Sequence, residues 1–134
     1  MYYFSKQKIK SLCRIVIETE HSFKFINRRY MKRIAFKMEL LPGNAEEYKK
    51  RHDEIWPELK KLLKDTGISD YSIFHDPQTN DLFAIHKVEN EEVLQDLPHH
   101  EVMKKWWAYM KDIMKTNPDN SPVMVPLDDI FYLE

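Results

Sequence analysis

Residues 48–59 read YKKRHDEIWPEL, and within them Tyr48, His52 and Trp56 recur at every fourth position. On a helix, side chains four apart are offset by only about 40°, so the three form one ridge. A core face would offer Leu, Ile and Val, and a solvent face Lys and Glu. This face offers a titratable imidazole between two flat rings. Unperturbed imidazole titrates at about pH 6.5, so it can hold and release a proton near neutrality. Acid–base chemistry beside an aromatic surface is what such a set can do. The plainer reading is a half-buried histidine between packing aromatics, and spacing alone favours it. Pro57 lacks a backbone N–H and costs about 3 kcal/mol in a regular helix interior, so the helix should kink or restart there and re-aim Trp56.

Trp106-Trp107 is the second feature. Adjacent helical residues point about 100° apart, so one ring fits the core stripe and the other must lie at its edge. A flat aromatic at a pocket rim suits a sugar, whose ring has an apolar C–H face and a hydroxyl edge. Packing at a subunit interface explains the pair equally well. Tyr71, placed on a strand, needs a polar partner for its phenol if it is buried. His99-His100 and the pair His75 and His86 invite a metal reading, but no HxxxH or cysteine pattern accompanies them, and surface or hairpin positions fit better. No glycine-rich phosphate loop, GxSxG elbow, RNP-like motif or zinc-finger spacing is present, which disfavours phosphate and nucleic-acid ligands.

The elements that must position these groups follow from periodicity. In 33–40, Ile34, Phe36, Met38 and Leu40 alternate with Arg33, Ala35, Lys37 and Glu39, a strand with one buried face. Pro42-Gly43 makes a turn, and Asn44 three residues before Glu47 resembles a capping box opening a helix over 45–66, ended by Gly67. Within it Ile55, Leu59, Leu62 and Leu63 supply core contacts. Strands over 69–75 and 81–88 flank a turn at 76–80; if Asp76 pairs with Asp81, Tyr71 falls opposite His86. A helical region begins at Glu91, breaks at Pro98 and is stronger over 99–115, with Val102, Met103, Trp106, Met110, Ile113 and Met114 as its stripe. After the loop NPDNSP, a fourth strand lies within 123–133, its pairing limited by Pro126. The order β-α-β-β-α-β predicts an α+β, ferredoxin-like split arrangement with two helices on one sheet face.

With 134 residues the chain suffices for one domain with a real core. Net charge is −1, which suggests neither a nucleic-acid nor a membrane partner. The charge is uneven: residues 1–30 hold seven basic groups against Glu18 and Glu20, whereas the remainder is net acidic. The longest aliphatic run in that leader, Ile15-Val16-Ile17, is too short for a signal peptide. Cys13 is the one cysteine, so no intrachain disulfide forms and a reducing cytoplasm fits. The economical expectation is that residues 1–30 form a basic extension outside the native domain, with Met31 the true start and 31–134 the working domain. A lightly docked, dispensable extension is the alternative.

Taken together, MKRIAF at 31–36, EEYKKRHDEIWPEL, DYSIF, LFAIH, KKWWAYM, NPDNSPV and the terminal IFYL closely resemble the L-rhamnose mutarotase family. The resemblance runs in order over nearly all of 31–134, and the combination of RHxxIWPEL, WWxYM and NPDNSP is specific. It implies a cofactor-free isomerase that interconverts the α and β anomers of L-rhamnose on a dimeric ferredoxin-like (α/β-barrel) fold. Carried over, it makes His52 the proton donor and Tyr48, Tyr71, Trp106 and Trp107 substrate ligands, with no metal. His86 stands where the family pattern suggests an apolar residue. Ring opening needs a proton removed from the anomeric hydroxyl and one delivered to the ring oxygen, which suits these residue types; the residues do not identify the base complementary to His52, and water held by Tyr48 or Tyr71 is a candidate. Two rivals share the fold: a haem-binding or cofactor-free monooxygenase-like dimer, which a Soret band would favour, and a non-catalytic sugar-binding module. The partners implied are a small sugar and a second copy of the chain, with no nucleic acid and no membrane.

Overall fold

The computed structural model describes residues 31–134; residues 1–30, and the expectation attached to them, lie outside the described residues. The chain runs β1 (Lys32–Glu39), α1 (Ala45–Asp53), α2 (Pro57–Asp65), β2 (Ile68–His75) and β3 (Asp81–Val88), then two short 3-10 turns (Glu91–Gln95 and Leu97–His99), α3 (Glu101–Met110) and β4 (Val125–Leu127). The sheet order is β2-β3-β1-β4 with every neighbouring pair antiparallel, which is the ferredoxin-like arrangement.

The alternation read from the sequence sets the faces. Phe36 and Ile73 both sit beside Ala84, and Met38 and His75 both sit beside Leu82, so one sheet face carries Phe36, Met38, Ile73, Leu82 and Ala84 towards the helices. Leu59 of α2 and Met103, Trp106 and Met110 of α3 close the core from the other side. Leu40, Leu59, Leu82 and Val88 are the largest fully enclosed side chains; burying each contributes about 1.5–3 kcal/mol.

The expected 45–66 helix is two helices. Pro57 cannot donate to the Asp53 carbonyl, and its ring clashes with the preceding turn, so α1 ends and α2 restarts with Pro57 in its first turn. Trp56 between them is extended (φ −58°, ψ 134°), the conformation a residue before proline prefers. The capping box is absent: Asn44 makes no side-chain cap and instead donates to the Leu41 and Pro42 carbonyls. Gly67 ends α2 as expected, at φ +82°, with its N–H donating to the Lys64 carbonyl.

The hairpin has the expected register at its turn, where the Asp76 N–H donates to the Asp81 carbonyl. It then slips between Ser69 and Ser72 in a bulge, and Asp70 there adopts φ +47°. The region opening at Glu91 is 3-10 rather than α-helical, and β4 is only three residues long, with Pro126 beside Phe36.

Candidate functional site

Between the sheet face and the helices lies a cavity of about 1170 Å³, lined on the sheet side by Phe36, Tyr71 and His86 and on the helix side by Tyr48, His52, Trp106 and Trp107. Its volume is above the usual range for small-molecule sites, so a hexose fits with room for water. All five residues assigned from the sequence reach this one space.

α1 supplies the core of the site. His52 Nδ1 lies 3.0 Å from the Tyr48 carbonyl oxygen, one turn back on the same helix. A carbonyl only accepts, so Nδ1 carries the proton and Nε2 is left as the working atom. The two rings of the pair stack at 4.2 Å, and His52 meets Trp106 edge-on at 5.3 Å. The imidazole is therefore held by one hydrogen bond and two aromatic walls. Burial pulls its pKa below the ordinary histidine value, with the Tyr48 carbonyl and the Asp53 charge opposing. His52 is thus neutral at pH 7, and Nε2 is a base at rest and a donor once protonated.

Trp56 does not complete a continuous ridge. The helix break at Pro57 re-aims it, and Trp106 packs against both it and His52, meeting Trp56 edge-on at 5.2 Å. Of the tryptophan pair, Trp106 is buried in the core and Trp107 is only partly buried at the cavity edge, the division that their 100° separation requires.

Two phenols line the cavity, Tyr48 from the helix side and Tyr71 from the sheet side. Burial raises the Tyr48 pKa, with the nearby Tyr71 adding to the effect. Tyr71 keeps 41% of its surface exposed, yet desolvation on its cavity side pushes its phenol up to about 12. Both stay protonated at neutral pH as hydrogen-bond donors. Tyr71 meets His86 edge-on at 5.2 Å, the cross-strand contact that the turn register predicted.

Three features were not foreseen. His86 is only 4% exposed, a buried imidazole on a strand whose other inward-facing side chains are apolar. His75 Nε2, further along the same sheet face, is buried with no hydrogen-bond partner among the described residues. Arg51 braces the site from behind: Nη1 and Nη2 form a bidentate pair with Asp112 at 2.7 and 3.0 Å, Nε bonds Glu47 at 2.8 Å, and Nη1 donates to the Tyr109 carbonyl at 2.6 Å. The i,i+4 spacing of Glu47 and Arg51 was legible, but Asp112 lies too far along the chain to be paired by spacing.

A family model described as L-rhamnose mutarotase matches residues 33–133. An L-rhamnose mutarotase from Formosa agariphila is 58% identical over 104 residues, covering 78% of this chain and all of that protein. One from Bacteroides thetaiotaomicron is also 58% identical over the same coverage. Among solved structures, the crystal structure of an L-rhamnose mutarotase from Formosa agariphila aligns with a TM-score of 0.72 and 56% identity over 77% of this chain and 99% of that one. A conserved protein from Methanosarcina mazei, 12% identical with a TM-score of 0.53, shares the fold.

Proposed function

The chain belongs to the L-rhamnose mutarotase family, and from that premise we propose that residues 31–134 interconvert the α and β anomers of L-rhamnose, with His52 moving the proton. The observation that carries this reading is the state of His52: Nδ1 tied to the Tyr48 carbonyl, Nε2 free, the ring neutral at pH 7 and walled by Tyr48 and Trp106.

The proton balance follows from that state. Ring opening breaks the O1–H and C1–O5 bonds and forms C1=O1 and O5–H. Neutral Nε2 takes the O1 proton, and the resulting imidazolium gives it to O5; both oxygens are bonded to C1, so one nitrogen reaches either with a small shift. Rotation about C1–C2 and the reverse transfers close the other anomer. His52 is thus the proton donor to O5 and its own complementary base at O1. Tyr48 and Tyr71, kept protonated, donate hydrogen bonds where oxygen gathers negative charge. Trp107, at the edge, offers its face to the C–H side of the sugar, and Trp106 backs His52. No metal or cofactor enters these steps. Saturation-transfer NMR on L-rhamnose tests the reading: the protein should speed α/β exchange well beyond buffer, and sugar binding without faster exchange would favour a binding module.

A homodimer completes the proposal. The outer sheet face carries Phe74, Ile85, Val125 and Leu127, all exposed, and the tail adds Ile130, Phe131 and Leu133. So many exposed apolar side chains call for a partner, and two-fold self-pairing is the commonest solution. No helix among the described residues is long and apolar enough to cross a membrane. The cytoplasm is the compartment we assign, on the chain's single cysteine.

A further inference from the structure

His86 has no role in the proton transfers above, yet its position is not that of a packing residue. β3 alternates so that Leu82, Ala84, His86 and Val88 all face the helices, and each of the four is buried. Three are apolar. The fourth places an imidazole in the wall of the cavity. Burying a polar group without a hydrogen bond is costly, so a buried imidazole in a strand where an apolar side chain would pack calls for a partner. Its contacts in the protein leave that need open. Nδ1 has only a long contact, 3.4 Å, to the adjacent Lys87 carbonyl, and Nε2, with no hydrogen bond among the described residues, is not sealed in the core but open to a partner. Phe36 meets one edge of the ring at 6.2 Å and offers nothing polar, while Tyr71 meets it at 5.2 Å. Burial also lowers the His86 pKa, so the group is a neutral donor–acceptor at pH 7.

We propose that His86 is a substrate-contacting residue that, together with the Tyr71 phenol, holds one ring hydroxyl of the sugar and thereby sets selectivity among related sugars. The proposal rests on the mutarotase reading for the class of ligand. The sugar offers hydroxyls distant from C1 that His52 does not engage, and His86 sets a polar group beside the apolar side chains of Phe36, Met38 and Met103, where one of them can be received. A site built to bond a hydroxyl rejects an analogue that lacks it far more strongly than an apolar wall does, because the protein group is then left unpaired.

The test is calorimetric titration of the wild type, His86→Val and His86→Gln with L-rhamnose and its 2-, 3- and 4-deoxy derivatives, with anomer exchange recorded on the same samples. Valine suits a buried strand position, and glutamine keeps a polar group there. His86→Val should weaken L-rhamnose binding about tenfold, the worth of one buried hydrogen bond. One deoxy sugar should bind the wild type and His86→Val equally, and His86→Gln should recover most of the loss; in exchange kinetics the change should fall on KM more than on kcat. Unchanged affinity in His86→Val, or an equal loss on all three deoxy sugars, would overturn the assignment and leave packing alone. A wild type that binds sugars without exchanging anomers would overturn the mutarotase reading while the deoxy comparison still decided His86. Failure of the wild type to bind any of the four would overturn both.

Discussion

In the proposed mechanism His52 uses one nitrogen to fix its orientation and keeps the other for the substrate, and its neutral resting state has a measurable consequence. A buried imidazole whose folded pKa lies below the unfolded value takes up fewer protons folded than unfolded. Stability contributed in this way is present above the unfolded value of about 6.5 and falls as pH drops through the interval down to the folded value. His52 and His86 both shift downward. The urea midpoint of the wild type should therefore fall between pH 7 and 5, less so in His86→Val, while exchange activity persists below pH 6.5 because Nε2 stays unprotonated; a midpoint indifferent to pH would contradict the burial of these rings. The tryptophans divide by depth. Trp106→Ala should destabilise the fold by about 3–5 kcal/mol in denaturant titration, as loss of a buried aromatic does, whereas Trp107→Ala should weaken sugar binding more than folding. At this scale the sequence showed residue type and face but not depth: the ridge was visible in spacing, and the burial of His86 was not, because burial depends on which strands flank it.

At the scale of elements, most of the site was legible in the sequence. The period-2 runs located three strands, the apolar stripe located α3, and the Asp76–Asp81 turn set a register that brought Tyr71 to His86. Where expectation failed, a non-local or side-chain choice decided. Asn44 had both a cap and a turn within reach, and its side chain took the turn carbonyls. The bulge at Asp70 left no clear sign in residue type. The break at Pro57 was legible because proline removes a donor wherever it stands, but the contact of Trp106 with both His52 and Trp56 needed the packing of α3 on α1. Arg51 makes that packing specific, tying α1 to Asp112 and the Tyr109 carbonyl beyond the ring it overlies at 4.4 Å. Arg51→Met should lower the urea midpoint and reduce exchange by more than the fraction unfolded, since His52 is its neighbour on α1. Full activity in the folded fraction would mean that α1 holds its place without the brace.

At the scale of the whole molecule, the sheet is covered by helices on one side only among the described residues. Phe74 and Phe83 lie directly across from each other on the uncovered face, and Phe74 is 60% exposed. The tail beyond β4 is drawn along β1 by Arg33, which bonds Asp129 at 2.6 Å and lies 3.6 Å over the Tyr132 ring. Light scattering at micromolar concentration should give the mass of a dimer. Phe74→Asp should weaken association about a hundredfold, the cost of an unpaired buried charge. A monomeric wild type would leave this apolar face without a role in self-association. The need for a cover was legible from the β-α-β-β-α-β order, which leaves one sheet face bare.

The most direct test of the account is anomer exchange of L-rhamnose, measured by saturation-transfer NMR at saturating sugar and pH 7, in the wild type and in His52→Ala. The wild type should exchange anomers rapidly, and the variant, folded by circular dichroism, should lose about 10²–10⁴-fold, the usual contribution of a positioned acid–base group. Exchange close to wild type in folded His52→Ala would place the proton transfer on another residue and contradict the account.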